Sequence, residues 1–281
     1  MAAKPKSLAQ RLSKRGPHTV LRGNLALAGQ PGTVYTPAEG FGLPAVAFGH
    51  GWMTGLDKYS KLFEHLASWG IVVAAPSTER GPIPSHLGLA ADLGTTLDIC
   101  VGVRLGTGRI SVHPDRLGLV GHGMGAGAAV LAASRREVAA VAALYPAPTS
   151  PPASALAARV HAPGLVLAAE KDLGSMGSDA VAVAQAWGGE VLMRVVHKAT
   201  DDGMIEGRRL LAFLGVGGAQ RNTQKVTRAL LTGYLLYRLA GDKTYAPLAD
   251  PEAELPGSEV LTEPDAIDRE LGTQINQLLG R

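Results

Sequence analysis

The chain alternates short apolar runs with longer segments in which apolar residues recur at helical spacing. Continuous apolar runs are typical of strands buried on both faces, and the longer segments are typical of helices that cover a parallel sheet. We predict strands at residues 32–35, 44–48, 71–75, 116–120, 138–144, 165–169 and 190–196. We predict helices at residues 57–69, 86–103, 124–135, 178–187, 203–214 and 224–239. The pattern therefore predicts an α/β fold: a doubly wound, mostly parallel sheet with helices on both faces.

The charge distribution indicates one domain with charged ends. Hydrophobic residues make up 46% of the 281 residues and charged residues 18%, which excludes a disordered polar chain. Residues 1–23 contain six basic residues and no acid, whereas residues 241–281 contain nine acids and three bases. We therefore predict a basic arm at 1–23, one domain at 24–240 and an extended acidic tail at 241–281, with a short helix starting near Asp265.

Several classes of protein are disfavoured by composition. Cys100 is the single cysteine, so the chain forms no intrachain disulfide, and a reducing, cytoplasmic location is expected. No apolar region follows the basic N-terminal segment, and no run reaches the ~20 apolar residues of a membrane-spanning helix. Aromatic residues are only 5% of the chain and do not alternate with basic ones, so we expect no nucleic-acid binding.

The most informative motif is Gly121-His122-Gly123-Met124-Gly125, which lies between a predicted strand and a predicted helix. In the nucleophile elbow G-x-S-x-G, a strained turn lifts a serine above the sheet, and the next backbone N–H helps to form an oxyanion hole. Here Gly123 stands at the serine position. Glycine tolerates the strained backbone, so the turn is expected to persist without its nucleophile.

With this motif the chain resembles the α/β-hydrolases, in particular the dienelactone hydrolase, chlorophyllase and bacterial cutinase-like group, over roughly residues 30–240. Two further passages carry the resemblance: FGHGWM at residues 48–53 and HLASWGIVVAAP at residues 65–76. The resemblance implies that the backbone N–H groups of Trp52 and Met124 form an oxyanion hole. It also implies that His50 and His122 lie at the pocket.

The same resemblance assigns the other two triad positions. LVLAAEKDL at residues 165–173 is similar to the family's strand followed by E-x-D, which makes Asp172 the acid. Asp201 occupies the place of the catalytic histidine. Gly123 and Asp201 thus remove the nucleophile and the general base, respectively. Two facing carboxylates at 172 and 201 should also raise the pKa of one of them.

Other residues offer weaker alternatives. His122 or His197 could act as a displaced nucleophile or base, although histidines outside a matched constellation are usually structural. Cys100 is read as an inert buried thiol, and Ser175 and Ser178 as turn or capping residues. The eight histidines show no spacing typical of a metal site. The glycine-rich stretch at 121–126 matches the dinucleotide-binding pattern G-x-G-x-x-G/A only in isolation, and the sequence contains no P-loop.

The sequence therefore favours a pseudohydrolase that needs no cofactor and no metal. It would bind a small acyl- or ester-like ligand, or a protein partner. The first alternative is an active carboxylic ester hydrolase with a displaced nucleophile or base such as His122 or His197. The second is a scaffold that acts through its charged termini.

Overall fold

A nine-stranded, mostly parallel sheet organises the chain. The computed structural model describes residues 4–207 and 219–261. The strands are β1 (Val20–Asn24), β2 (Gly32–Pro37), β3 (Gly40–Gly49), β4 (Val72–Pro76), β5 (Ile110–His122), β6 (Ala140–Leu144), β7 (Gly164–Ala169), β8 (Val191–Val196) and β9 (Ser258–Val260). Their order in the sheet is β1-β2-β4-β3-β5-β6-β7-β8-β9. The six strands from β4 to β8 in this order are parallel, and the outer pairs are antiparallel.

Helices cover both faces of this sheet. They are α1 (Pro5–Leu12), α2 (Ser60–Ser68), α3 (His86–Gly102), α4 (Met124–Ala133), α5 (Ser154–Ala157), α6 (Ala180–Gln185) and α7 (Arg221–Arg238). Side chains of a strand alternate between faces, so Val46 and Phe48 of β3 contribute to one core and Ala45 and Ala47 to the other. The first core includes α1, α2 and α7, and the second includes α3, α4, α5 and α6. The predicted fold class is confirmed.

With one exception among the helices, the predicted elements agree with the structure in order and type, with local differences in extent. The predicted strand at 116–120 is the second half of β5, which begins at Ile110. The helix predicted at 57–69 begins as a 3-10 turn at Leu56–Tyr59 and continues as α2. The helix predicted at 203–214 is not formed over its described part: a 3-10 turn at Asp201–Met204 ends at Ile205, which is extended, and residues 205–207 are not helical. Its residues from 208 onward lie outside the described residues.

Both ends of the described chain pack on the sheet, which differs from the predicted arm and extended tail. In the N-terminal segment, α1 packs against α7, and β1 pairs with β2. At the other end, β9 pairs antiparallel with β8, and Tyr245, Leu248 and Leu255 are buried in the core. Burial of these apolar side chains explains why the segment folds onto the domain. Residues 262–281, with the predicted helix near Asp265, lie outside the described residues.

Candidate functional site

A cavity of about 750 Å³ opens at the edge of the sheet where the parallel strands end. Carboxyl ends of parallel strands meet at one edge, so the loops that follow β3, β5, β6, β7 and β8 all reach it. Ligands bind in this position in open α/β sheets. The lining residues are Gly51, Trp52, Pro84, His86, His122, Gly123, Met124, Tyr145, Ala147, Pro148, Asp172, Ser175, Gly177, Thr200, Asp201 and Asp202.

The turn between β5 and α4 projects its central residue into this cavity. Gly123 has φ +56° and ψ −121°, a conformation that side-chain-bearing residues rarely adopt. A Cβ at Gly121 would lie 2.0 Å from the Gly125 oxygen, and a Cβ at Gly125 would lie 2.3 Å from the Gly49 carbonyl. A Cβ at Gly123 would meet no heavy atom nearer than the Gly51 Cα, at 3.7 Å. The flanking glycines are therefore required by close packing, whereas Gly123 has room for a side chain.

Two backbone amides border the space above Gly123. Met124 is the first residue of α4, and Trp52 lies in the loop after β3. Within residues 4–207 and 219–261, neither backbone N–H donates a hydrogen bond. The N-terminus of a helix carries partial positive charge, which adds to the donor strength of Met124. Both amides are thus available to a ligand oxygen, as the resemblance implies for an oxyanion hole.

His122 lies in the cavity wall and is held by two hydrogen bonds. Its Nε2 lies 2.9 Å from the carbonyl oxygen of Asp201, which can only accept, so Nε2 carries the proton. Its Nδ1 lies 2.8 Å from the Tyr59 hydroxyl, which in turn accepts from the Gly51 N–H at 3.0 Å. In the neutral ring the hydroxyl donates to Nδ1. This arrangement ties the loop after β3 to the turn after β5 and to Asp201.

The two acidic triad positions are in contact. The Asp201 backbone N–H donates to Oδ2 of Asp172 at 2.6 Å. Oδ1 of Asp201 is buried and has no hydrogen-bond partner among the described residues. Burial, and then the charges of Asp172 and Asp202, raise the pKa of Asp201 to about 8. The sequence predicted a raised pKa from charge repulsion, but burial is the larger cause. Burial and the neighbouring carboxylates therefore favour the protonated form of Asp201 near neutral pH.

Two predicted site histidines lie elsewhere. His50 does not line the cavity: its ring is fully buried under the loop, with Nδ1 2.9 Å from the Gly51 oxygen and Nε2 2.7 Å from the Thr78 oxygen. These two carbonyls turn the ring away from the pocket. His197 lies beyond the end of β8, where its Nε2 is 3.8 Å from Glu259 and its backbone N–H donates to Gly257. The antiparallel pairing of β9 holds His197 on that side.

Five polar lining residues were not predicted as site residues from the sequence: His86, Tyr145, Ser175, Thr200 and Asp202. His86, at the start of α3, accepts a hydrogen bond from the Ser150 N–H through Nδ1 at 3.0 Å. Tyr145 directly follows β6, and its buried hydroxyl lies 2.6 Å from that of Thr227. The Thr200 hydroxyl is buried with no partner among the described residues. Tyr145 and Thr200 follow strands that end at this edge, which is the one sequence signal that could have identified them.

The structure offers no metal centre and no membrane-spanning helix in the part it describes. Residues 4–207 and 219–261 contain no group of three or more His, Cys, Asp or Glu residues placed to hold a metal ion. None of the described helices combines the length and the apolar character needed to cross a bilayer.

Comparison with known proteins supports the resemblance over part of the chain. The model of the dienelactone hydrolase family matches residues 101–194. This segment runs from the end of α3 into β8, so it includes Gly123 and Asp172 but neither Trp52 nor Asp201. No curated protein matches the chain. Together with the sheet topology, the match supports a hydrolase-type α/β fold.

Proposed function

We propose that this protein binds a small acyl- or ester-like ligand at the carboxyl edge of its sheet and does not hydrolyse it by serine–histidine chemistry. The observation that carries the proposal is Gly123, which holds the strained φ of +56° expected of an elbow but has no side chain to attack a carbonyl. Nucleophilic acyl transfer needs an attacking atom and a proton acceptor. With Gly123 at the serine position the attacking atom is missing, and Asp201 stands where the proton-accepting histidine would be.

The cavity retains groups suited to a carbonyl oxygen. The N–H groups of Trp52 and Met124 are available as donors, and the carboxyl of Asp201, whose protonated form is favoured, belongs to the same set of lining residues. Hydrogen-bond donors in a partly buried site stabilise an oxygen that carries partial negative charge. The volume of about 750 Å³ is within the range of small-molecule sites, ~300–1,000 Å³. Binding without turnover is the function that these groups support best.

The alternative, an ester hydrolase that uses His122 or His197 as its nucleophile or base, has less support than the binding protein. His122 lies in the cavity, but Nε2–H donates to the Asp201 carbonyl and Nδ1 accepts from Tyr59, so neither nitrogen is free to take a proton from a nucleophile. His197 is not among the lining residues. A serine nucleophile is absent from the elbow. No observation at the described site favours the hydrolase over the binding protein.

Binding and turnover are measured on the same purified protein. We expect methyl butyrate to give a saturation-transfer NMR signal with the native chain and to remain uncleaved over hours. Ala147→Trp should abolish the signal, because Ala147 lines the cavity and its N–H contacts the Gly123 carbonyl. Ala158→Trp, on an exposed helix end outside the cavity, is the matched control. Ester cleavage above background that His122→Ala abolishes would contradict the proposal.

A further inference from the structure

Four apolar side chains that face solvent surround the mouth of the large cavity. Trp52 and Met53 are 55% and 59% exposed, and Ile83 and Met176 are each 94% exposed. Each of the four either lines the cavity or is the direct chain neighbour of a residue that lines it, at a Cα separation of about 3.8 Å. No other exposed large apolar side chain among the described residues has such a position. We call these four residues the apolar rim, and such a grouping is typical of an interaction site.

The apolar rim is carried by three uncharged loop tips. The tips belong to the loops that follow β3, β4 and β7, whose carboxyl ends lie at the same edge of the sheet. Residues 51–56, 81–85 and 173–178, which form these tips, include no acidic or basic side chain other than those of the flanking segments. Moving a charge out of water is costly, so the three tips can leave water at a lower cost than charged loops could.

The loop after β4 also presents few polar backbone groups. Ile83 stands between Pro82 and Pro84, which have no backbone N–H. The carbonyl oxygen of Pro82 accepts a hydrogen bond from Nε1 of Trp52 at 3.1 Å. This bond satisfies the single polar atom of the indole, while the ring stays exposed. The indole and the Pro-Ile-Pro tip can therefore enter an apolar phase with few polar groups losing their hydration.

We propose that the apolar rim docks the protein on a lipid surface of no net charge, with the mouth of the cavity facing the lipid. The choice of lipid as the partner rests on the proposed function, because an acyl- or ester-like ligand partitions into lipid and would reach the cavity directly from it. Tryptophan is enriched at membrane–water interfaces, and protruding apolar side chains insert at the boundary between headgroups and acyl chains. The loop tips contain no basic side chain that would favour anionic headgroups.

The tryptophans give this contact a direct readout. Trp69 and Trp187 are buried, so Trp52 is the exposed one of the three. Phosphatidylcholine vesicles should shift the fluorescence of the full chain to shorter wavelength, and vesicles with brominated acyl chains should quench it. Trp52→Phe keeps both buried tryptophans and should remove most of these two changes. Because these vesicles carry no net charge, attraction of the basic N-terminal residues to anionic lipid does not contribute.

Substitutions at exposed positions locate the contact without disturbing the core. Ile83→Ser should weaken partitioning into the vesicles about tenfold, the lower figure for losing the burial of one large apolar side chain. Leu27→Ser is the matched control, because Leu27 is 90% exposed and is not next to any residue that lines the cavity. This control should partition like the native chain.

Absence of vesicle binding, or equal partitioning of Ile83→Ser and the native chain, would overturn the proposal. Self-association of the native chain that Ile83→Ser abolishes, without vesicle binding, would assign the apolar rim to a second copy and also overturn it. The proposed ligand binding is judged separately. Vesicles that fail to bind while methyl butyrate still gives its saturation-transfer signal would remove the lipid contact alone. Vesicle binding without that signal would support the lipid contact and contradict the proposed function.

Discussion

Replacing Asp201 by asparagine should change how the stability of the protein depends on pH. The carboxyl of Asp201 is buried and lies close to Asp172, which together raise its pKa from 3.8 to about 8. A raised pKa means that the folded state holds this proton more tightly than the unfolded chain does. The stabilisation is therefore fully present below about pH 4 and is lost as the pH rises through about 8.

The magnitude follows from linkage. Where the folded state keeps one proton that the unfolded state has lost, the free energy of unfolding falls by about 1.4 kcal/mol per pH unit. The whole shift corresponds to roughly 6 kcal/mol as an upper figure, since one pKa unit is about 1.36 kcal/mol. An amide at position 201 does not ionise, so Asp201→Asn should lack this slope. The variant should gain stability relative to the native chain as the pH rises.

Urea unfolding at about pH 5, 6, 7 and 8 measures the effect. The difference in unfolding free energy between Asp201→Asn and the native chain should increase by about 1 kcal/mol or more per pH unit. Asp115→Asn is the matched control, because that side chain is 88% exposed and should show no comparable trend. A pH-independent difference for Asp201→Asn would refute the reasoning about its buried carboxyl.

Three substitutions test the packing around the cavity and the C-terminal segment, the first two by urea unfolding and the third by limited proteolysis. Gly125→Ala places a Cβ 2.3 Å from the Gly49 carbonyl and should cost about 2 kcal/mol or more; a neutral effect would contradict this close contact. Tyr59→Phe leaves His122 Nδ1 without its donor and should cost about 1–3 kcal/mol; no loss would show that this hydrogen bond is not formed. Arg194→Met removes two hydrogen bonds from a buried guanidinium to the loop before β9 and should increase proteolysis of the C-terminal segment; unchanged cleavage would contradict that attachment.

The order of the central elements could be predicted because they are continuous apolar runs. Strands β4, β6, β7 and β8, and β3 from Pro44 onward, are buried on both faces, so their hydrophobicity alone predicts them. The outer strands gave no such signal. In β1 the sequence VLRGN has four exposed positions, and β9 is three residues long. Pairing with a neighbouring strand, rather than burial, defines these two elements.

Residues of the candidate site could be predicted where a sequence motif determines the backbone conformation. Residues whose orientation depends on contacts between distant loops could not. Gly123 and Met124 follow directly from the elbow pattern, whereas Asp172 and Asp201 were implied by the resemblance to the α/β-hydrolases; all four line the cavity. His50 was misplaced because its ring orientation depends on two carbonyls, one of them 28 residues away at Thr78. A single sequence contains no pattern for such a contact.

Labelling with a fluorophosphonate tests the central claim most directly, namely that the elbow and its amides persist without a nucleophile. A Cβ at Gly123 would have 3.7 Å of clearance, so the double variant Gly123→Ser, Asp201→His can restore an attacking hydroxyl and a base. Intact-mass measurement should show no adduct on the native chain and one adduct on the double variant. Labelling of the native chain, or a folded double variant that stays unlabelled, would contradict the account.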